Sequence, residues 1–112
     1  MRNMSFFMTT EQVIARKKFV TRRFGWKFLK VGDQLNAVRK AQGLKRGEKV
    51  EGLARIEVTH LRWEPLNAIT QMDCISEGFP EMEPHEFVEM LSNHYRCAPD
   101  KPVHRIEFRI LD

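Results

Sequence analysis

Lys18 and Thr21 stand three residues apart in the run Arg16-Lys17-Lys18-Phe19-Val20-Thr21-Arg22-Arg23. Three residues make one helical turn or a tight bend, and either brings an amine toward a hydroxyl. A hydroxyl becomes a nucleophile once a base takes its proton, which opens amide hydrolysis as a chemistry. A lysine serves as that base only when its pKa falls well below about 10.4. Burial or cationic neighbours cause such a fall, and Arg16, Lys17, Arg22 and Arg23 supply the neighbours. The same segment suits a second chemistry. Arg22 and Arg23 run into Phe24 and Trp26, which sets phosphate-pairing guanidiniums beside rings on which bases stack. RNA recognition favours that combination. Lys40, Lys45, Arg46 and Lys49 extend the basic track. Each residue also has a plainer use: Lys18 as a solvated cation, Thr21 as a strand former, Phe24 and Trp26 as core rings flanking a turn.

Other site chemistries find no pattern to rest on. His94 and Cys97 are three apart, with His60, His104 and Cys74 elsewhere, but no paired zinc-ligand spacing occurs. No metal and no cofactor is expected. Glycine-rich phosphate loops and a nucleophile elbow are absent. His85 and Glu89 share a helix face and read as a solvent pair.

The distribution of charge bears on the partner. Residues 1–60 carry 14 Lys or Arg against 5 Asp or Glu, whereas residues 61–112 carry 5 against 10, for a net charge of +4. Such asymmetry points to an anionic partner, unless the two halves neutralise each other inside the fold; taken with the stacking rings, the partner expected is RNA or a nucleoside. At 112 residues, 42% apolar and 30% charged, the chain reads as one globular domain over residues 1–112. It needs no disulfide at that size, so Cys74 and Cys97 are expected as reduced thiols in a cytoplasmic protein. No apolar stretch is long enough to cross a bilayer, and no membrane partner is expected.

The elements that must position these residues follow from periodicity. Residues 4–8 read as a buried strand, and Thr9 or Thr10 then caps a short helix. Residues 19–21 are β-branched and aromatic, a strand that ends near Gly25. A turn over 28–33 enters a strand at 34–39, with Leu35 and Ala37 on its inner face. Residues 40–52 form a polar hairpin loop. In the strand at 53–63, Ala54, Ile56, Val58 and His60 alternate against Arg55, Glu57, Thr59 and Leu61. Residues 66–77 read as one or two helical turns, with Leu66, Ile69, Met72 and Ile75 near one face. A helix starts at Pro84 with Phe87, Val88, Leu91 and Tyr95 as its apolar stripe. Residues 103–110 alternate as a final strand. Strands with helices inserted between them fit a small, partly closed barrel of mixed class.

Several landmarks in this order resemble ASCH domains, a family named for homology to an activating signal cointegrator. Its members carry a lysine, a threonine three positions on and an arginine two further, matched here by Lys18, Thr21 and Arg23. Where the family commonly has a glycine before the lysine, this chain has Arg16-Lys17. The turn Val31-Gly32-Asp33, the segment Glu77-Gly78-Phe79-Pro80 and the helix start Glu83-Pro84-His85-Glu86-Phe87 match later landmarks. The resemblance implies an α+β fold, a small PUA-like partly closed β-barrel with two or three inserted helices. It also implies an RNA-related role and, for some members, hydrolysis. One bacterial branch of similar size removes the acetyl group from acetylcytidine with a lysine, a threonine three on and a distant glutamate. The matching positions are Lys18, Thr21 and Glu77, with Glu77 positioning a water or protonating the leaving amine. On the binding reading the contacts are Arg16, Lys17, Arg22, Arg23, Trp26, Lys40, Lys45 and Arg46.

Overall fold

Alternating apolar residues decide which strands can share a core, and in the computed structural model, which describes residues 1–111, five of them form one mixed sheet. The strands are β1 (Asn3–Ser5), β2 (Val20–Arg23), β3 (Gln34–Val38), β4 (Gly52–Pro65) and β5 (Pro102–Leu111). Their order across the sheet is β1-β3-β4-β5-β2. β1 lies parallel to β3, and every other pairing is antiparallel. Helix α1 (Thr10–Ile14) connects β1 to β2, while α2 (Gln71–Glu77) and α3 (Pro84–Tyr95) lie between β4 and β5. The first and last strands therefore belong to the same sheet, two strands apart.

The sheet is not closed into a barrel. Its edges, β1 and β2, share no backbone ladder; Arg23 spans the gap instead, donating from Nη2 to the Ser5 carbonyl at 2.7 Å. The sheet is thus partly open, in agreement with the expected small, partly closed arrangement of mixed class, and its edge strand β1 is only three residues long. The expected strand at 4–8 stops early for a local reason. Phe6 leaves the extended region (φ −124°, ψ 43°) and turns its ring into the core, and Phe7–Thr9 form a 3-10 turn. Phe7 and Met8 are left exposed.

A second correction concerns β4. The alternation holds through Ile56 and Val58, which are buried, and then a bulge between Val58 and His60 adds one residue to the strand. One extra residue reverses the faces. His60 consequently points to solvent, and Leu61, opposite Ile106, joins the core.

Two cores result. Met4, Phe6, Val13, Leu35, Ile56, Val58, Ile106 and Phe108 fill the hollow of the sheet. Leu66, Ile69, Cys74, Phe87, Leu91 and Val103 pack under the two later helices. Helix α3 begins as its sequence predicts, with Pro84 at the first position and the Glu86 carboxylate accepting from the Glu83 amide at 2.9 Å. Helix α2 departs from its expected face. Met72 and Ile75 are exposed, and the side chains turned inward are Asp73, Cys74 and Glu77. A helix buries a polar face only when its charges find partners, and those partners define the site described below.

Gly78 ends α2 in the left-handed region at φ +99°. A Cβ there would stand 2.7 Å from Cγ of Gln12 and 2.8 Å from its Cβ. Gly78→Ala is therefore expected to destabilise the fold by about 1–3 kcal/mol, read from urea unfolding. A midpoint equal to the parent's would show that Gln12 yields freely and that the close approach carries no strain.

Candidate functional site

The inward face of α2 meets β2. Alternation along β2 sends Arg22 toward the helix and aims Thr21 and Arg23 toward β1. Arg22 donates from Nη1 to Glu77 Oε2 at 2.9 Å, and from Nη2 to Asp73 Oδ2 at 2.7 Å and Glu64 Oε2 at 3.0 Å. Lys18 Nζ donates to Glu77 Oε1 at 2.7 Å and to the Glu77 main-chain carbonyl at 2.8 Å. That carbonyl is free because Glu77 is the last helical residue before Gly78, where carbonyls lack a partner within the helix. Arg105 completes the set with a 2.9 Å bond to Asp73 Oδ1. The side chains of Lys18 and Glu77 are each only 3% exposed, and that of Arg22 is fully buried.

These contacts tune the charges. Burial pulls the Lys18 amine below the ordinary lysine value, against the opposing pull of Glu77, and Arg23 and Arg22 add to the fall. Burial pushes the Asp73 carboxyl up, but the Arg105 hydrogen bonds and the Arg22 charge outweigh it and hold the group below the usual range. Glu64 is likewise lowered: burial acts against it, and hydrogen bonds from Arg62 and Arg22 prevail.

A pocket of about 300 Å³ opens beside this cluster. Lys18, Thr21, Arg23 and Glu77 contribute polar groups to its wall, and Phe7, Phe79, Phe87 and Tyr95 contribute rings. Arg23 differs from its neighbours. Its Nε donates to Thr21 Oγ1 at 3.0 Å and its Nη2 to the Ser5 carbonyl, but it faces no carboxylate at salt-bridge distance among the described residues. Among the described residues Nη1 has no hydrogen-bond partner, which leaves two N–H groups for a ligand. The guanidinium lies 4.9 Å from the Phe6 ring centroid. A second hollow of about 540 Å³ adjoins the first and shares Ser5, Phe7 and Arg23 with it. Trp26 and Lys40 line it. Trp26 sits at φ +62°, unusual for a bulky residue, and its carbonyl accepts from His104 Nδ1 at 3.0 Å.

The structure brings Lys18, Thr21 and Glu77 to one pocket, but Lys18 bonds to Glu77 rather than to Thr21. Arg23 lines both hollows, while Trp26 and Lys40 line only the second. Arg22, expected to pair with phosphate, instead has its guanidinium inside the protein against three carboxylates, and that expectation is corrected. Arg16, Lys17, Lys45 and Arg46 are exposed and line neither hollow. Phe24 packs on the second core, edge-on to Tyr95 at 4.9 Å. The halves of the chain do partly neutralise each other, since Lys18 and Arg22 meet Glu64, Asp73 and Glu77. Asp73, Glu64 and Arg105 escaped the sequence reading, as did His94 and Tyr95 on the pocket wall. The four-residue spacing of Asp73 and Glu77, on one face of α2, was the available signal.

No protein-family model matches the sequence, and no curated protein sequence matches it. Solved structures do. Protein EF3133 from Enterococcus faecalis V583, described under the family DUF984, superposes with a TM-score of 0.71 at 15% identity, over 100% of this chain and 77% of that one. The ASCH domain from Lactobacillus crispatus JV V101 gives 0.68 at 14% identity, over 92% of this chain and 70% of that one. The hypothetical protein PH0355 gives 0.68 at 17% identity, over 98% and 96%. The chain thus shares the fold of these proteins, an ASCH domain among them: a small, partly open α+β arrangement. Among the described residues no helix is long and apolar enough to cross a membrane, and no cluster of His, Cys, Asp or Glu could hold a metal ion. Both cysteines are free thiols, Cys74 buried and Cys97 half-buried.

Proposed function

We propose that this protein is a cytoplasmic module that binds a nucleoside unit, free and modified or within RNA, in the pocket beside Lys18, Thr21, Arg23 and Glu77. The observation that carries this reading is the state of Arg23. Lys18 and Arg22 are matched by carboxylates, and among the described residues Arg23 is the cation on the pocket wall with none. An unmatched guanidinium with a free Nη1 beside aromatic rings suits an oxygen-rich ligand with a flat base. The volume falls at the lower end of small-molecule sites, about 300–1,000 Å³, which fits one nucleoside rather than a duplex. The resemblance to ASCH domains agrees with an RNA-related role.

Arg23→Gln is expected to weaken binding of a nucleoside monophosphate about 10-fold or more, the loss of a charge-assisted hydrogen bond of about 1.5–3 kcal/mol. Raised salt should weaken the parent and flatten the difference. Calorimetric titration of parent and variant with cytidine and cytidine monophosphate reads this directly. Equal affinities for the variant and the parent at low salt would remove Arg23 from the site and leave the reading without its support.

A second reading, hydrolysis, has its own observation in its favour. Lys18 and Glu77 form a buried pair at 2.7 Å on the wall that also carries Thr21. An amine lowered in pKa, a carboxylate touching it, a hydroxyl and a free guanidinium donor form a chemically sufficient set for amide hydrolysis. On this reading the substrate is an acetylated nucleoside. Water adds across the amide bond, Arg23 receives the charge on the carbonyl oxygen, and the amine leaves with a proton.

A further inference from the structure

We infer that the second hollow is a subsite for the nucleotide adjoining the one held in the pocket, so that the preferred ligand is a short RNA strand rather than a free nucleoside. The inference rests on the nucleoside reading above and extends it. Three features point the same way. The two hollows are contiguous, with Ser5, Phe7 and Arg23 on the wall of both. A residue shared between neighbouring sites meets whatever joins their occupants, and in RNA the joining group is a phosphate. The shared cation is Arg23, whose Nη1 is unused and whose other bonds to Thr21 and Ser5 fix its plane. A fixed guanidinium with two spare N–H groups is suited to a phosphate by shape as well as charge.

The contents of the second hollow match the remainder of a nucleotide. Trp26 offers an indole, held in the left-handed region by a carbonyl bond from the buried His104 and packed against the first core. Arg2 flanks that ring at 5.7 Å from its centroid and is itself bonded to Asp33. A rigid aromatic placed in a hollow stacks a base of any identity, because every base has a π-face. Lys40 and Gln42, from the loop after β3, line the same hollow. Lys40 supplies a cation for a further phosphate, and Gln42 supplies both a donor and an acceptor for a base or ribose edge. The pocket would read one unit, and the hollow would hold the next by its general features.

The test compares cytidine, the dinucleotide CpC and a mixed-sequence hexaribonucleotide by calorimetric titration, on the parent, Trp26→Ala, Lys40→Ala and Gln42→Ala. CpC is expected to bind at least about 10-fold tighter than cytidine, the scale of one stacked base. Trp26→Ala removes most of that gain and leaves cytidine affinity within about two-fold, since Trp26 is outside the pocket. Because Trp26 packs on the core, Lys40→Ala and Gln42→Ala provide a second route: each should weaken CpC and the hexamer but not cytidine. If cytidine binds and CpC binds no tighter, the subsite is refuted while the pocket reading stands. The same holds if Trp26→Ala, folded as the parent by its thermal transition, weakens both probes equally. Binding of no probe overturns both readings together.

Discussion

Arg22→Leu is expected to destabilise the protein by about 3–5 kcal/mol, the scale of removing one partner from a buried ion pair. Arg22 is fully buried and holds Glu64, Asp73 and Glu77 at 2.7–3.0 Å. Without it, Lys18 still holds Glu77, Arg105 still holds Asp73 and Arg62 still holds Glu64, but three carboxylates lose a buried donor at once. Against a typical total of about 5–15 kcal/mol, that loss approaches unfolding. Arg22→Lys recovers only part of it, because one ammonium cannot serve three acids placed for a planar fork. The dependence on pH gives a second reading with a definite sign. In the parent, Asp73 and Glu64 have folded pKa values below their unfolded ones, so their contribution is present above the unfolded values and is lost as pH falls through the folded ones. In Arg22→Leu, Asp73 and Glu64 lose the Arg22 share of that lowering and shift upward, with Arg105 and Arg62 still opposing burial. Acid then removes stability from the parent while relieving the variant, and the gap between them narrows below about pH 4. Urea unfolding of parent and variants at neutral and acid pH measures this. A gap that is small, or unchanged between the two conditions, would show that the cluster contributes nothing net beyond what leucine packing replaces.

The same cluster explains how far the sequence could be read. Strands β3 and β5 and helix α3 announce themselves because each has one wet face and one dry face, and their periodicity says so directly. Helix α2 does not. Leu66 and Ile69 lie before the helix and are buried, which made Met72 and Ile75 look like the next positions of the same stripe. The helix instead turns Asp73 and Glu77 inward, because β2 and β5 present Arg22 and Arg105 at that level. Hydropathy counts a buried carboxylate as surface, and only the position of its cationic partner, 51 or 55 residues away, says otherwise. The reversal at His60 has a similar cause. A bulge is set by how β4 must bend across β5, and no residue type at Thr59 declares it.

The candidate site divides along the same line. Lys18 and Thr21 stand out by their spacing, Glu77 enters through likeness to a family, and the fold places all three on one pocket wall. Arg22 and Arg23 are indistinguishable as letters, yet strand alternation gives them opposite tasks. One is consumed by carboxylates within the protein, and the other is left to the hollows. Alternation is readable, but which parity faces the acids is not, because the inward face of α2 is polar and hydropathy does not mark it. The aromatic residues split likewise: Trp26 lines a hollow and Phe24 packs on a core, one residue apart from Gly25 on either side.

On the hydrolysis reading, Lys18→Arg is expected to lower kcat toward acetylcytidine by about 10²–10⁴-fold, the range typical of a positioned acid or base. The neutral amine is the form that accepts a proton from water or Thr21, so the rate rises with pH through the folded pKa of Lys18. Burial holds that value below the ordinary lysine value of about 10.4, so the rising limb lies below it as well. Arginine keeps its proton at every usable pH, so the variant loses the limb as well as the rate. It keeps a cation opposite Glu77, and affinity for cytidine should stay close to the parent's. Glu77→Gln also lowers kcat. It removes the carboxylate that touches Lys18, and without that opposing charge the amine's pKa falls further, so any residual activity should show its rising limb at lower pH. Thr21→Val separates the two nucleophiles: it abolishes turnover if the hydroxyl attacks and spares most of it if water does. Hydrolysis is followed across pH for the parent and the three variants, with thermal unfolding and cytidine binding measured on each. A folded Lys18→Arg that loses rate but keeps the parent's pH limb would make Lys18 a positioning partner rather than the base. Parental turnover by a folded Lys18→Arg would remove Lys18 from proton transfer altogether. A parent that hydrolyses no acetylated nucleoside would leave the buried pair as a device for shaping a binding pocket, with Arg23 as the group that meets the ligand.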